Sequence, residues 1–306
     1  MEFHLIRAED KDVFDRYFTE IDSRNCDMCF STLYLWRDYY GMTWTQEEGM
    51  LLIKCENEEG FSGFYFPIGT GDPEKALVSI EEYCLERDLQ VRLFCVSKDN
   101  ELWLERNRPD QYQVYYNRDI EDYIYLAEKL IRLSGRQYHG KKNHVNKFKR
   151  ACPDWSYEAI TDDNRQECLE MLYEWKKINS VEEDFEKYSE SCVARNYLLN
   201  MEYLEQKGGL IRTGGRVVAF TIGEPLNSDT FVVHIEKAFS DVPGAYAIIN
   251  QQFLEHEARH FTYINREDDA GEEGLRQAKL SYRPVMMIEK GMAVKKNGGD
   301  HDETFD

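Results

Sequence analysis

Two short stretches of this 306-residue chain hold the side chains that group-transfer chemistry requires. In "FVVHIEKAF" (231–239), His234 and Glu236 stand two apart, a spacing that points both to one face of a strand. Either is a candidate base, and the pair is predicted to look into one cleft. In "FTYINREDDAGEEGLRQAKLSY" (261–282), an apolar run breaks into Asn265, Arg266, Glu267, Asp268 and Asp269. Acyl transfer to an amine needs a base, hydrogen-bond donors for the oxyanion and an acid for the leaving group. Asn265, Glu267 and Asp268 suit a cationic amine, and Arg266 among acids favours a paired network over a bare turn. The bland reading is a solvated turn in which Asp269 merely caps a helix. Arg276 and Lys279 share a helical face and suit a phosphate, or simply face water.

The elements that must position these groups are legible as hydrophobic periodicity. The first half reads as a strand at 3–7, helices at 10–21 and 29–40, and strands at 42–45, 50–56 and 63–68. A helix at 72–86, with Asp72 as N-cap and Pro73 in its first turn, precedes a strand at 89–97, a helix at 98–107 and a strand at 111–118. The second half reads as a strand at 156–161, a helix from Asp162 to 179, and a helix at 191–207 closed by Gly208 and Gly209. A hairpin round Gly214 and Gly215, the 229–239 strand, a helix at 245–259 and the 261–265 strand follow. A helix at 271–282, with Asp269 and Glu272 as a capping box, and one closing strand at 284–294 complete the pattern. The order of elements thus occurs twice without repeated residue identities.

A net charge of −20 argues against binding nucleic acid or an anionic membrane over the whole surface. One stretch departs from this balance: residues 129–150 hold eight Lys/Arg and no Asp or Glu. Its basic residues interleave with Tyr138, His139 and Phe148, which suits a nucleotide or RNA backbone, or else a linker helix that balances an acidic body. The eight cysteines are scattered in apolar patterns and read as reduced thiols of a cytoplasmic protein. Cys26 and Cys29 form a lone C-x-x-C without the second pair that zinc needs. No signal peptide follows Met1, and no apolar window is long enough for a transmembrane helix.

The element order resembles the GNAT acyltransferase fold. Three motifs are sharper: "YHGKKNHVNKF" (138–148), "VHIEKAF…PGAY" (233–246) and "YINREDDAGEEGLRQAKLSY" (263–282). Together they resemble a soluble bacterial family grouped with the C-terminal domain of phosphatidylglycerol lysyltransferase. The resemblance covers most of the chain. It implies an α/β (α+β) protein of two tandem GNAT-like domains, each a mixed, mostly antiparallel sheet flanked by helices. The expected bounds are 1–130, a basic connecting segment 131–155, a second domain 156–294 with the active cleft, and a disordered tail 295–306. The relatives imply transfer of an acyl or aminoacyl group from coenzyme A or tRNA to an amine or hydroxyl of a small-molecule or lipid-derived acceptor. No tightly bound cofactor is implied.

By the same resemblance, the acyl group lies where two neighbouring strands splay apart, and Tyr282 takes the place of the acid. Gly244, Tyr246, Arg276 and Lys279 would meet donor phosphates, while Tyr138, His139, Lys141, Lys142 and His144 belong to the family pattern and would meet tRNA. The usual pyrophosphate loop carries Arg or Gln where this chain has Asp241, a departure that weakens the coenzyme A branch. Two other readings stand beside the transferase. One is a non-catalytic module holding RNA, a nucleotide or another anion. The other is a metal-dependent hydrolase using His234, Glu236, Glu267 and Asp268.

Overall fold

The computed structural model describes residues 1–56, 62–179 and 185–296. Most of the tail expected at 295–306 lies outside them. The chain forms two compact units, one from Met1–Ser23, Asp27–Glu121 and Glu289–Asp306, the other from Arg24–Cys26 and Asp122–Ile288. Among the described residues each unit carries one seven-stranded sheet that is antiparallel except for a single parallel pair. The expected architecture is therefore present. The bounds differ: the segment 131–155 is part of the second unit, not a connector, and the chain returns to the first unit after Ile288.

In the first unit, β1 (His4–Leu5), β2 (Thr43–Glu47), β3 (Met50–Glu56), β4 (Ser62–Tyr65), β5 (Arg92–Val96) and β6 (Tyr112–Tyr116) are joined by the last strand of the chain, β14 (Gly291–Lys295). β14 lies between β5 and β6. Helices α1 (Lys11–Ile21), α2 (Phe30–Tyr40), α3 (Pro73–Leu85) and α4 (Lys98–Asn107) accompany this sheet. Asp72 caps α3 as its sequence demands, accepting the Lys75 N–H at 3.2 Å. Leu77, Ile80 and Cys84 of α3 pack with Leu52, Phe64, Leu93 and Ala293 of the strands.

The second sheet contains β7 (Asp122–Leu126), β8 (Ser156–Ala159), β9 (Lys207–Thr213), β10 (Arg216–Pro225), β11 (Thr230–Ala238), β12 (Tyr263–Asn265) and β13 (Met286–Ile288), in the order β13-β7-β12-β11-β10-β9-β8. Its helices are α5 (Ala127–Arg132), α6 (His139–Ala151), α7 (Arg165–Ile178), α8 (Phe185–Asn200), α9 (Ala245–Phe253) and α10 (Glu273–Leu280). Ile248, Ile249, Phe253 and Leu254 are fully buried along and just beyond α9. At roughly 1.5–3 kcal/mol per large apolar side chain they fix this helix firmly on the sheet.

Several expected boundaries move for local reasons. Asp162 pairs with Arg165 and does not cap, and α7 starts after Asn164. Gly208 and Gly209 lie within β9; a Cβ on either would strike Met201 and Ile160, or Tyr157, so their smallness serves packing, not a helix end. The closing strand is two strands in two sheets. The capping box on α10 does not form, because Asp269 has other partners.

Candidate active site

The site grows from the parallel pair of the second sheet. β11 pairs with β12 at only three positions, Thr230–Tyr263, Phe231–Ile264 and Val232–Asn265. β12 ends there, while β11 runs on to Ala238. Pairing therefore stops at Val232 and Asn265, and the stretch from Val233 to Ala238 runs on past the end of β12.

The charge cluster after β12 explains why the strand stops. The Asn265 side-chain oxygen, Oδ1, accepts the Glu267 N–H at 2.6 Å, and Glu267 turns to a φ of 55°. Asp268 accepts the Ala270 N–H at 3.0 Å. Lys279 donates to the carbonyls of Arg266, at 2.8 Å, and Asp268. Asp269 is fully buried and accepts two bonds from Arg276, at 2.7 and 3.0 Å, one from the Gly271 N–H at 3.1 Å and one from the Tyr123 hydroxyl. Burial alone would raise its pKa, but these donors prevail and hold it at about 2. The charges face inward and fasten the turn.

This overturns several expected contacts. Arg276 and Lys279 are committed to the turn and do not present themselves to a phosphate. Asn265 is fully buried; its amide nitrogen donates to Asp122 at 2.9 Å and to the Arg24 carbonyl at 2.8 Å, so it is structural. Glu267 binds His234.

His234 and Glu236 do not share a cleft either. Ile222 pairs with Ile235 but Gly223 with Val233, so His234 is the extra residue of a β-bulge. Gly223 permits it, because a Cβ there would come within 2.2 Å of the Val232 carbonyl oxygen. The bulge breaks the alternation. His234 stacks on Tyr197 of α8 at 4.9 Å, and Lys237 lies 4.3 Å from the Trp175 ring centre of α7. Glu236 instead meets Asn250 of α9. Both ring nitrogens of His234 face carboxylates, Glu267 at 2.8 Å and Glu224 at 3.0 Å, which leaves neither for a substrate. The four residues of the hydrolase reading consequently do not converge on one point.

Glu236 centres the remaining cluster. One oxygen accepts from Arg266 at 2.9 Å, the other from the Asn250 amide nitrogen at 3.0 Å. The Glu236 and Arg266 side chains are only 13% and 11% exposed. Tyr282 lies 4.9 Å from the Arg266 guanidinium, measured to its ring centre, and 3.9 Å from the Lys141 ammonium. Two buried polar atoms lack hydrogen-bond partners here: Nη1 of Arg266, a donor, and Oδ1 of Asn250, an acceptor. Orphaned buried groups of this kind cost free energy and call for an explanation. Burial, opposed by Arg266, pushes the Tyr282 phenol up to about 12. Burial and the neighbouring Arg266 draw Lys141 down to about 8.

Among the other expected contacts, Tyr138 is buried beneath the start of α6, whereas His139, Lys142 and His144 are exposed. Gly244 has a φ of 84°, and a Cβ on it would lie 2.2 Å from the His144 carbonyl oxygen. α6 thus packs directly on the glycine that precedes α9. Tyr246 is 39% exposed in the first turn of α9. Asn250 and Glu224 escaped the sequence reading. The signal for Asn250 was an amide directly after the apolar run Ala247–Ile249 in "AYAIINQQF".

The chain matches the model of the phosphatidylglycerol lysyltransferase C-terminal family over residues 18–294. A crystal structure of a conserved protein of unknown function from Bacteroides thetaiotaomicron is 36% identical, covering 97% of this chain and all of that one, with a TM-score of 0.92. At 13% identity, the C-terminal domain described as that of a lysylphosphatidylglycerol synthetase from Agrobacterium fabrum shares the fold with a TM-score of 0.65, covering 95% of this chain and 93% of that one. A tandem GNAT protein from the clavulanic acid biosynthesis pathway shares it at 7% identity and a TM-score of 0.51, covering 97% and 99%. An uncharacterized Mycoplasmoides gallisepticum protein is 25% identical over 177 residues, 55% of this chain and 54% of that protein. Among the described residues, no helix is long and apolar enough to cross a membrane.

Proposed function

The chain belongs to the phosphatidylglycerol lysyltransferase C-terminal family, and on that premise we propose that it is a cytoplasmic acyltransferase whose reaction takes place beside the end of β12. The observation that carries the proposal is the pair of orphaned atoms held on either side of Glu236, one donor and one acceptor. A carbonyl oxygen gaining negative charge fits the Arg266 N–H, and the N–H or O–H of an incoming nucleophile fits the Asn250 carbonyl. Glu236 positions both groups.

The nucleophile forms a bond to the acyl carbon as the bond to the donor oxygen or sulfur breaks. Tyr282 supplies the leaving group's proton; its hydroxyl has no hydrogen-bond partner among the described residues. Lys141, with a pKa drawn down to about 8, takes the nucleophile's proton in its neutral form.

Aminoacyl-tRNA is favoured over acyl-coenzyme A as donor. The His144 backbone against Gly244 crowds the first turn of α9, where a pyrophosphate would be held, and Asp241 adds a carboxylate to that loop. The basic outer face of α6 supports the second reading, a non-catalytic module that holds RNA. A deacylation assay separates these readings. Purified protein with acceptor-containing extract should move the aminoacyl group from aminoacyl-tRNA to the acceptor, freeing the tRNA, and leave acetyl-coenzyme A intact. Tight tRNA binding without release would favour the binding module.

A further inference from the structure

Among the described residues four strands end the two sheets, and three of them are guarded. β1 is two residues long and β13 three, while β8 carries Glu158, paired with Arg212 at 2.8 Å. Short or charged edges of this kind resist pairing with another chain. β6 has neither safeguard. Its five residues, "YQVYY", sit inside a stretch from 111 to 117 that holds no charge and no proline. Among the described residues only β14 pairs with it. The Tyr112 and Tyr116 hydroxyls donate to Glu81 of α3 at 2.7 Å and Glu101 of α4 at 2.8 Å, which steadies the edge from one face.

The direction of the backbone groups of β6 follows from its ladder. The Lys296 N–H donates to the Gln111 carbonyl at 2.8 Å, in a register that continues as Val294 with Gln113 and Met292 with Tyr115. Alternation in an antiparallel pair therefore turns the N–H and C=O of Gln111, Gln113 and Tyr115 toward β14, and those of Tyr112, Val114 and Tyr116 outward. The stretch is also complementary to its own reverse. Antiparallel pairing of two copies about Val114 sets Tyr112 against the partner's Tyr116 and Val114 against the partner's Val114, which are the residues whose backbone groups point outward. Gln113 then meets the partner's Tyr115, and Gln111 the partner's Asn117. Asp110 stands as far before Val114 as Arg118 stands after it, so each copy's acid lies at the other's base. Between chains of net charge −20, an approach through an uncharged strand ended by opposite charges is the favourable one.

We propose that β6 is the interface of a homodimer, in which two copies pair antiparallel about Val114 and join their first sheets into one. The inference is independent of the transfer reading. The contact is isologous and uses up both edges, so assembly stops at two. Roughly six main-chain hydrogen bonds form, and the small area places the dimer among weak, reversible ones.

Sedimentation velocity on the full chain tests this between about 1 μM and about 0.2 mM. The expected result is a reversible monomer–dimer equilibrium with no larger species. Val114→Pro removes an outward N–H and leaves the bonds to β14 in place, so it should weaken the dimer about thirtyfold, as suits loss of the bonds exchanged at the symmetry centre. Asp110→Arg should weaken it about fivefold, and Asp110→Arg/Arg118→Glu should restore it. The charge pair decides the matter if circular dichroism shows that Val114→Pro does not fold. A monomer at every concentration, its edge left to some other strand, overturns the proposal. So does a dimer unchanged by Asp110→Arg, or a folded Val114→Pro that dimerises like wild type. A larger assembly means a contact elsewhere and overturns it as well.

Discussion

Glu236 shows how a single carboxylate organises its surroundings. It neutralises Arg266, orients Asn250 and leaves each with one unused polar atom. Replacing it strands a buried guanidinium, so Glu236→Gln is expected to cost about 3 kcal/mol of stability. A double-mutant cycle with Arg266→Met, read by urea denaturation, should show the double variant markedly less destabilised than the two single changes combined. Additive losses would mean the pair is not coupled. Asp269 gives a pH-dependent counterpart. Its folded pKa of about 2 lies below the ordinary 3.8. Its contribution is present above that ordinary value and is lost as pH falls through 2, a term on the order of 2 kcal/mol. The stability gap between wild type and Asp269→Asn should therefore shrink between pH 4 and 2, and a constant gap would refute the assignment. The composition of this cluster was readable, since Arg266 among acids signalled a network. The division of labour was not. Whether Asp269 caps a helix or binds Arg276 depends on burial, which spacing alone does not report.

At the level of elements, the β-bulge decides which residues meet. Strict alternation puts His234 beside Glu236, and one extra residue in the ladder sends them to different helices. No local sequence signal announces a bulge except Gly223 on the partner strand. Gly223→Ala would drive a methyl into the Val232 carbonyl and is expected to cost about 2 kcal/mol or more. Thermal unfolding of that variant at wild-type temperature would show that the contact is slack. Helices with clear caps, such as α3 and α4, were legible to within a residue or two. β7 was not expected. Its run Asp122–Leu126 is short and almost wholly apolar, and such a run has no period that tells strand from helix. The "PVMMIEKGMAV" stretch likewise hides a change of sheet between Ile288 and Gly291.

For the molecule as a whole, pattern repetition correctly indicated two α/β units, but contiguous bounds do not follow from it. β7 lies inside the second sheet between β13 and β12, and β14 lies inside the first between β5 and β6. A fragment spanning 156–294 lacks β7 and so leaves β12 and β13 without the strand that pairs them. Such a fragment should fail to give a cooperative unfolding transition, while a cooperative melt would show that β7 is dispensable. Against a net charge of −20 over the chain, α6 carries five Lys/Arg and no acidic residue.

In the proposed reaction, acyl transfer takes place beside the end of β12 with Tyr282 as the acid. It is tested by the rate at which wild type and Tyr282→Phe free tRNA from aminoacyl-tRNA in acceptor-containing extract, with circular dichroism and melting temperature alongside. Removing one unpaired hydroxyl should leave the fold intact and slow release about a hundredfold or more, the usual worth of a general acid. A Tyr282→Phe variant that folds and reacts at the wild-type rate would rule out Tyr282 as the acid.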